Sequence, residues 1–343
     1  MRAMLITRAA DLAKDLEPLE LREVPRPVPG EREVLLKVLA CGVCHTDIDE
    51  IEGRTPPPQL PVIPGHQVVG RVVERGRDAG RFAVGDRVGV AWIFSACGRC
   101  AYCRSGRENL CPDFRGTGRD EDGGYTEYMK VGEAFAHPIP EVFSDVEAAP
   151  LLCAGAVGYR ALRLSGIADG DDFGLTGFGA SNHLVLLTAR HKYPNSRIAV
   201  FARAEKEREF ALELGAAWAG DTSDRAPGNL RAIVDATPVW KPVVEALRNL
   251  APGGRLVVNA IRKEDVDKDS LLRLDYAADL WLEKEVKSVA NVTRADVGEF
   301  LAVAAEIPLR PEVEEFRLED ANRALLEIKE RRIRGAKVLR VSS

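Results

Sequence analysis

Short apolar runs rich in β-branched residues, separated by glycine and proline, recur through the first 150 residues of the chain. Runs of this length and spacing are typical of short strands joined by turns. The clearest are VLLKVLA (34–40), VVGRVVE (68–74) and DRVGVAW (86–92). The pattern predicts a small β-barrel or sandwich as a first domain, residues 1–153, with a cysteine-rich lobe at about residues 92–113.

From about residue 154 the pattern changes to an alternation of strand-like and helix-like segments. Predicted strands lie in DDFGLTGFG (171–179), RIAVFAR (197–203), RAIVDAT (231–237) and, after a PGG turn, RLVVNA (255–260). Predicted helices lie in ASNHLVLLTARHKY (180–193), AEKEREFALELG (204–215) and VVEALRNL (243–250). This alternation predicts a doubly wound parallel sheet over residues 154–288. Two helices, about 295–306 and 319–332, and the strand AKVLRV are expected to return to the first domain, as residues 289–343.

Length and composition agree with two domains and exclude several partners. The chain has 343 residues and a formal charge of -5, which gives no reason to expect nucleic acid or an anionic membrane as partner. No apolar run approaches the roughly 20 residues that span a bilayer. The first residues lack the apolar core and cleavage site of a signal peptide. The seven cysteines are an odd number, which disfavours a fully bridged secreted framework. A reducing cytoplasm is the simplest expectation.

Four cysteines follow the spacing C-x2-C-x2-C-x7-C in CGRCAYCRSGRENLC, and they are Cys97, Cys100, Cys103 and Cys111. Short spacers of this kind allow one loop to supply several thiolates to a tetrahedral Zn²⁺ ion. Four thiolates close the coordination sphere, so the predicted zinc is structural. The alternatives are two disulfides or unrelated buried thiols; C-x2-C steps in a chain without export signals favour metal.

A second set of soft ligands lies on either side of this loop: Cys44 in ACGVCHTD, His66 in LPVIPGHQVVG and Cys153 in APLLCAGAVG. Two thiolates and one imidazole leave a fourth position open for water or substrate, as in catalytic zinc sites. Taken singly, each residue has another explanation, since either cysteine could be a small core residue and the histidine a structural one. The flanking motifs favour a metal site.

These motifs, together with LLCAGAVGYRAL and GFGA, resemble zinc-dependent medium-chain alcohol dehydrogenases in order and spacing, from about residue 25 to the C-terminus. The resemblance implies a GroES-like β-barrel catalytic domain, a Rossmann-fold coenzyme domain and an active site in the cleft between them. It implies that Cys44, His66 and Cys153 hold the catalytic zinc, whereas Cys41 matches no ligand position. The implied reaction is hydride transfer between a zinc-bound alcohol or aldehyde and a nicotinamide cofactor.

The same resemblance assigns roles to residues around the second site. Thr46 matches the hydroxyl residue that bonds the substrate oxygen and starts a proton relay, and Asp47 matches the carboxylate that orients His66. His45 matches a cationic residue near the coenzyme pyrophosphate. Trp92 falls where such enzymes often place an aromatic wall of the substrate pocket; a core tryptophan is the equal alternative.

Two positions depart from the family pattern. Asp49 stands where many relatives carry the histidine at the outer end of the relay, so the pH profile is expected to differ. Gln67 follows the metal-binding histidine in place of the usual glutamate, which polyol-type relatives use as a zinc ligand. The presence of Gln67 together with Cys153 favours the alcohol-type enzyme over a polyol or sugar dehydrogenase.

The segment GFGASN predicts a coenzyme site, because it follows a strand and opens a helix within a βαβ unit. Gly177 allows the tight turn and Gly179 allows close approach of the pyrophosphate to the helix N-terminus. Phe178 and Ala180 complete the predicted loop. Asn182 replaces the third glycine of the G-x-G-x-x-G pattern, which makes the motif weak without its context.

The residue at the end of the second strand indicates which coenzyme is used. NAD enzymes place an acid there for the adenosine ribose, but this chain has Ala202 followed by Arg203. Loss of the carboxylate removes repulsion of a 2′-phosphate, and Arg203 could pair with that phosphate. The residue types favour NADP(H) over NAD(H), the alternative being a solvated Arg203 or one that stacks on adenine.

The sequence therefore predicts an alcohol dehydrogenase or aldehyde reductase with two zinc ions per subunit. A polyol dehydrogenase is the rival enzyme, and a metal or redox sensor that retains the fold is the rival of another class. The substrate is expected to be a small alcohol or aldehyde that the sequence does not identify. A homo-oligomer, dimer or tetramer, is expected from the resemblance alone.

Overall fold

Two units, each with its own sheet and core, make up the structure, a computed structural model that describes residues 1–179, 181–307, 309–330 and 335–342. The first unit comprises Met1–Cys153 and Val292–Ser343, and the second comprises Ala154–Asn291. The second unit thus ends at Asn291 rather than at residue 288. None of the helices in the described ranges combines the length and apolar character that a bilayer crossing requires.

Within these ranges the strands are β1 Arg2–Ile6, β2 Leu19–Glu23, β3 Glu33–Val43, β4 Val68–Arg75, β5 Arg87–Val90, β6 Ile93–Ser95, β7 Arg115–Gly116, β8 Tyr128–Gly132, β9 Ala136–Pro138, β10 Phe173–Thr176, β11 Ile198–Phe201, β12 Trp218–Gly220, β13 Leu230–Asp235, β14 Leu250–Val258, β15 Glu285–Ser288, β16 Val313–Arg317 and β17 Ala336–Arg340. The α-helices are α1 His45–Ile51, α2 Ala101–Arg104, α3 Asp145–Pro150, α4 Ala156–Ser165, α5 Asn182–Lys192, α6 Glu205–Glu213, α7 Lys241–Leu247, α8 Arg294–Glu306 and α9 Ala321–Lys329.

The first unit is built around a sheet of order β16-β17-β3-β4-β5-β9, with β8 also paired to β3. Strand β3 is almost wholly buried, which matches its largely apolar sequence; only Glu33 and Lys37 are half-buried. The C-terminal strand β17 pairs antiparallel with β3, with Leu339 opposite Cys41. The end of the chain therefore completes the sheet that carries the first cysteine motif.

The second unit contains a six-stranded parallel sheet of order β12-β11-β10-β13-β14-β15. Counted along the chain this is the 3-2-1-4-5-6 order of a doubly wound nucleotide-binding fold, which confirms the predicted Rossmann architecture. The central strand β10, FGLT, is buried at every position. Helices α5, α6 and α7 supply the crossovers from β10 to β11, from β11 to β12 and from β13 to β14.

The region around residue 250 differs from its sequence-based description. The predicted PGG turn lies inside β14, where pairing with β13 passes from Leu230–Leu250 directly to Ala232–Arg255. The extra residues form an irregularity within the strand, and Gly253 takes a φ of +66° there. Because Leu250 already belongs to the sheet, α7 ends at Leu247, earlier than the predicted 250.

Candidate active site

Cys44 stands at the start of α1 and caps it. Its Sγ accepts a hydrogen bond from the Thr46 N–H at 3.4 Å, and its own N–H donates to Asp47 Oδ2 at 2.8 Å. These bonds satisfy helix donors that otherwise have no partner. The local sequence C-H-T-D therefore fixes the direction in which the thiol points.

His66 lies between the ligand cluster and a buried acid. Its Nε2 is 3.3 Å from Cys44 Sγ, and its Nδ1 is 3.3 Å from Asp47 Oδ1. Both the imidazole and the carboxylate are fully buried. The Tyr125 hydroxyl donates to Asp47 Oδ2 at 3.0 Å, so the acid is itself held in place.

Cys153 joins the cluster from the π-helical turn Leu151–Gly155, which follows α3. The two sulfurs and the imidazole nitrogen all lie within 4.8 Å of one another. Tetrahedral zinc, with Zn–S near 2.3 Å and Zn–N near 2.0 Å, places sulfur and nitrogen about 3.5 Å apart. The separation of 3.3 Å between Cys44 Sγ and His66 Nε2 fits that geometry, so the donor set suits Zn²⁺.

Burial and the close contacts among Cys44, His66 and Cys153 shift the pKa values of all three side chains. A hydrogen bond from Cys153 lowers the pKa of Cys44 well below its usual range. Burial alone would raise this pKa, but the charge of His66 lowers it further. The same bond, together with burial, raises the pKa of Cys153 well above its usual range. Burial works against imidazolium, but Cys44 and Asp47 outweigh it and raise the pKa of His66. One thiolate, the form that binds metal, is therefore readily available.

The other predicted residues of this region lie around the cluster in different ways. Trp92 is 8% exposed and packs edge-on against the His66 ring, with centroids 4.9 Å apart. Thr46 is half-buried and His45 is exposed. Asp49 is buried and accepts a hydrogen bond from Arg54 Nε at 2.5 Å, so its carboxylate is held in an ion pair.

Glu50 is a buried acid that the sequence did not single out. It is 1% exposed, and neither carboxyl oxygen has a hydrogen-bond partner among the described residues. Burial, and then the charge of Asp47, raise its pKa well above the usual range. A signal existed, because Glu50 stands between Ile48 and Ile51 on the buried face of α1. Gln67 is buried as well, and its side chain lies over Gly42.

The four cysteines of the lobe form a second cluster. Cys97, Cys100, Cys103 and Cys111 place their sulfurs within 4.8 Å of one another, and the sulfurs of Cys97 and Cys103 are 3.9 Å apart. Tetrahedral Zn–S bonds of about 2.3 Å place two sulfurs about 3.8 Å apart. All seven cysteines of the chain are free thiols. The geometry suits a closed zinc site rather than two disulfides.

Backbone N–H groups lie close to the sulfurs of this cluster. The N–H groups of Cys100, Cys103 and Cys97 lie 3.4–3.5 Å from the sulfurs of Cys97, Cys100 and Cys111 respectively. Backbone donors, first of all the Arg99 N–H, lower the pKa of Cys97 to about 6. Backbone hydrogen bonds thus stabilise negative charge on this loop.

The glycine turn of the second unit has the geometry of a dinucleotide fingerprint. Gly177 has a φ of +75°, and a Cβ there would lie 2.8 Å from Thr237 Cγ2. A Cβ on Gly179 would meet nothing within 4 Å, which leaves room for a ligand's close approach. Phe178 is buried, and Ala180 lies outside the described residues. Asn182, in place of the third glycine, is fully buried and donates to the carbonyls of Thr176 and Gly177 at 3.0 and 2.7 Å.

The end of β11 has the predicted composition. Ala202 directly follows the strand, is buried, and donates its N–H to the Gly220 carbonyl at 2.9 Å. The side chain of Arg203 is exposed. No carboxylate therefore occupies the position at which NAD enzymes bind the adenosine ribose.

Comparison with known proteins identifies the family. A family model described as the alcohol dehydrogenase GroES-like domain matches residues 30–141. The probable alcohol dehydrogenase AdhA of Mycobacterium tuberculosis (strain CDC 1551 / Oshkosh) is 44% identical over 332 residues, covering 95% of this chain and 93% of that protein. The chain belongs to the zinc-type medium-chain alcohol dehydrogenase family.

Two further relatives support the assignment to this alcohol dehydrogenase family. An alcohol dehydrogenase of Geobacillus stearothermophilus is 36% identical over 343 residues, covering 97% of this chain and 99% of that one. A cinnamyl alcohol dehydrogenase structure from Sorghum bicolor superposes with a TM-score of 0.81 at 26% identity, covering 98% of this chain and 97% of that one. The family's chemistry, alcohol and aldehyde redox by a dehydrogenase, is therefore that of this chain.

Proposed function

We propose that this alcohol dehydrogenase is zinc-dependent, uses a nicotinamide coenzyme and binds two zinc ions per subunit. The observation that carries the proposal is the convergence of Cys44 Sγ, His66 Nε2 and Cys153 Sγ within 4.8 Å in a chain of this family. Three protein ligands leave one position for substrate, whereas the four sulfurs of the lobe leave none.

Zinc at the three-ligand site would act as a Lewis acid on the oxygen of the alcohol or aldehyde. The residues of the chain position the reacting groups. Asp47, at 3.3 Å from His66 Nδ1, orients the ring so that Nε2 faces the two sulfurs. The Thr46 hydroxyl bonds the substrate oxygen and passes its proton outward. Asp49 receives that proton at the outer end, where Arg54 holds its carboxylate.

The side chains that shape the pocket and the coenzyme site are part of the same proposal. Trp92 forms a wall of the substrate pocket, supported by its edge-on contact with His66. The first unit is the catalytic domain and the second the coenzyme domain, where Gly177, Phe178, Gly179 and Ala180 form the pyrophosphate loop. His45 is proposed to hydrogen-bond the pyrophosphate.

We infer that NADP(H) is preferred to NAD(H). The support is the uncharged Ala202 at the end of β11 and the exposed guanidinium of Arg203 beside it. A guanidinium binds a phosphate through paired hydrogen bonds, and no nearby carboxylate at this position repels the 2′-phosphate.

We also infer a homo-oligomer, dimer or tetramer, that forms through β15 in a cytoplasmic enzyme. β15 is an end strand of the six-stranded sheet, and all four of its residues are exposed. Exposed apolar side chains, among them Trp281 and Tyr276, precede it in the chain. An open strand edge with apolar side chains favours pairing with a second copy. Val286→Pro should lower the mass measured by light scattering.

The proposed cytoplasmic location rests on the cysteines: seven free thiols fit a reducing compartment.

The test is a panel of alcohols and aldehydes run with both coenzymes, with metal content measured in parallel. We expect oxidation of NADPH with benzaldehyde, loss of activity after chelation, and recovery with Zn²⁺. A primary alcohol should react faster than sorbitol, and the reverse would favour a polyol dehydrogenase. A zinc-loaded protein with no activity on the panel would favour a metal or redox sensor. Two metal ions per polypeptide are expected by elemental measurement, and one or none contradicts the proposal.

A further inference from the structure

A buried ion pair joins the loops that follow β13 and β14. Asp235, the last residue of β13, is fully buried, and the Lys263 side chain is 7% exposed. Lys263 Nζ contacts Asp235 Oδ2 closely and donates to the carbonyls of Thr237 and Val239 at 2.7 and 3.1 Å. The ammonium group thus uses its three donors on three acceptors, and its charge is balanced by one carboxylate.

This pair lies at the point where the strand order of the sheet reverses. β10 leads to β11 and β12 on one side, while β13, β14 and β15 extend on the other. Thr176 at the end of β10 is level with Asp235 at the end of β13. Thr237 lies against Gly177, where an added Cβ would come within 2.8 Å of its Cγ2. Dinucleotides bind outside the carboxyl ends of strands at such a point.

Further hydrogen bonds connect the ion pair to the glycine turn. The Thr237 hydroxyl donates to Asp235 Oδ1 at 2.7 Å, and the Asn259 N–H donates to the Asp235 carbonyl at 2.7 Å. The Asn259 side-chain amide lies 3.3 Å from Ser181 Oγ, just before α5. The loops after β13 and β14 and the start of α5 therefore form one connected network.

The half of the coenzyme that faces this network follows from the sheet order. The adenosine ribose is bound at the end of β11, on the other side of the reversal. The nicotinamide half therefore faces the ends of β13 and β14, where Asp235 and Lys263 lie. An oxidised nicotinamide ring carries a positive charge and a reduced ring carries none.

We propose that Asp235 and Lys263 form a charge-neutral clamp that sets how strongly the coenzyme site discriminates oxidised from reduced nicotinamide. This inference rests on the proposed function. While the two charges cancel, neither ring state is penalised by a net local charge. An unpaired fixed charge near the ring in a partly buried site changes the affinity for the singly charged, oxidised ring by about tenfold or more, relative to the neutral ring. Asp235 and Lys263 are therefore specificity-determining residues for the redox state of the coenzyme.

The experiment measures the dissociation constants of the oxidised and the reduced coenzyme on the metal-loaded full chain at pH 8. This binding measurement does not depend on turnover. The reduced form is titrated by its fluorescence, and the oxidised form by competition. Asp235→Asn keeps the shape and leaves the Lys263 cation unpaired. We expect the ratio Kd(oxidised)/Kd(reduced) to rise about tenfold. The double variant Asp235→Asn/Lys263→Met removes both charges, and its ratio should return to within about twofold of the wild-type value.

A variant of opposite sign keeps the test decisive if Asp235→Asn does not fold. Lys263→Gln leaves the Asp235 carboxylate unpaired, so the ratio should fall below the wild-type value. Equal weakening of both coenzyme forms, or an unchanged ratio in both single variants, would overturn the clamp while leaving the proposed function intact. Failure of the wild-type protein to bind either form would instead contradict the proposed function itself.

Discussion

Asp47 Oδ1 lies 3.3 Å from His66 Nδ1, while the other ring nitrogen of His66 lies 3.3 Å from Cys44 Sγ. The carboxylate is fully buried and is held by the Tyr125 hydroxyl and the Cys44 N–H. This arrangement fixes which nitrogen of the imidazole faces the sulfurs, because a carboxylate beside Nδ1 favours a proton there. Asp47 therefore connects the start of α1 to the cluster of Cys44, His66 and Cys153.

Asp47→Asn should weaken metal binding at the three-ligand site by about 10–100-fold, the range typical of partners that orient a ligating histidine. The amide can still accept from Cys44 and Tyr125 but no longer stabilises a proton on Nδ1. Release of Zn²⁺ to a chromogenic chelator measures the change. Tyr125→Phe removes only one hydrogen bond to Asp47 and should have a smaller effect. An Asp47→Asn protein that releases zinc as slowly as the wild type contradicts the role.

The lobe cluster should bind one metal ion independently of the other site. Cys111→Ser is expected to reduce the metal content from two ions per chain to one and to lower the thermal transition, because a closed zinc site stabilises its loop. The matched control is Cys41→Ala, since Cys41 is buried in β3 and lies outside both clusters. The control should retain both ions. Equal metal loss in the two variants would argue against a metal at the lobe.

The two clusters of candidate metal ligands could be predicted from the sequence, because metal chemistry restricts residue type and spacing over short stretches. Cys97 to Cys111 come from one loop, and the motif around Cys44 also supplies its own helix cap. Asp235 and Lys263 could not be predicted as partners, since they are far apart in sequence and each resembles an ordinary charged residue. Their pairing depends on two neighbouring parallel strands ending at the same edge of the sheet.

Local patterns also failed where tertiary contacts override them. Pro252–Gly254 has the composition of a turn, but pairing of Leu250 with β13 includes these residues in β14. The burial of Glu50 was missed although it stands between Ile48 and Ile51, because an acidic residue is ordinarily assigned to a helix surface. The doubly wound sheet itself was predicted correctly, since alternating strands and helices allow few other arrangements.

The end of β11 allows a direct test of coenzyme choice. Ala202→Asp introduces the carboxylate that binds an adenosine ribose and repels a 2′-phosphate, so preference should shift from NADPH toward NADH by about 10–100-fold in kcat/KM. Arg203→Ala should weaken NADPH alone, because only the phosphate loses a partner. Steady-state kinetics with both coenzymes measures these shifts. The inferred preference for NADPH would be contradicted if the wild-type protein had equal kcat/KM values with NADH and NADPH and Arg203→Ala changed neither.

The role of Thr46 can be separated from simple packing. Thr46→Val keeps the shape but removes the hydroxyl, and we expect kcat to fall by about 10²–10⁴-fold, as for loss of a proton-transfer group. Thr46→Ser retains the hydroxyl and should keep most of the activity. The metal content of both variants should match the wild type, because Thr46 is not one of the three clustered ligands Cys44, His66 and Cys153. Comparable activity of the valine and serine variants would exclude a hydroxyl relay.

His137 is a buried base outside both metal clusters. It lies in β9, is 3% exposed, and its Nε2 has no hydrogen-bond partner in the described part of the chain. Burial, followed by the charges of Arg81 and Arg294, lowers its pKa to about 4. The imidazole is therefore neutral in the folded protein at pH values where the unfolded chain binds a proton.

This difference predicts a specific loss of stability in mild acid. The unfolded imidazole has a pKa near 6.5, so between about pH 6.5 and pH 4 the unfolded chain binds more protons than the folded one, and stability falls as pH is lowered. From pH 7 to pH 5 the contribution of His137 should amount to about 2 kcal/mol. His137→Gln should lack it, so the free energies of unfolding of variant and wild type, measured in urea, should converge or cross as pH falls. Loss of metal in acid affects both proteins and cancels in the difference. Parallel curves over this range would mean that His137 takes up its proton without unfolding.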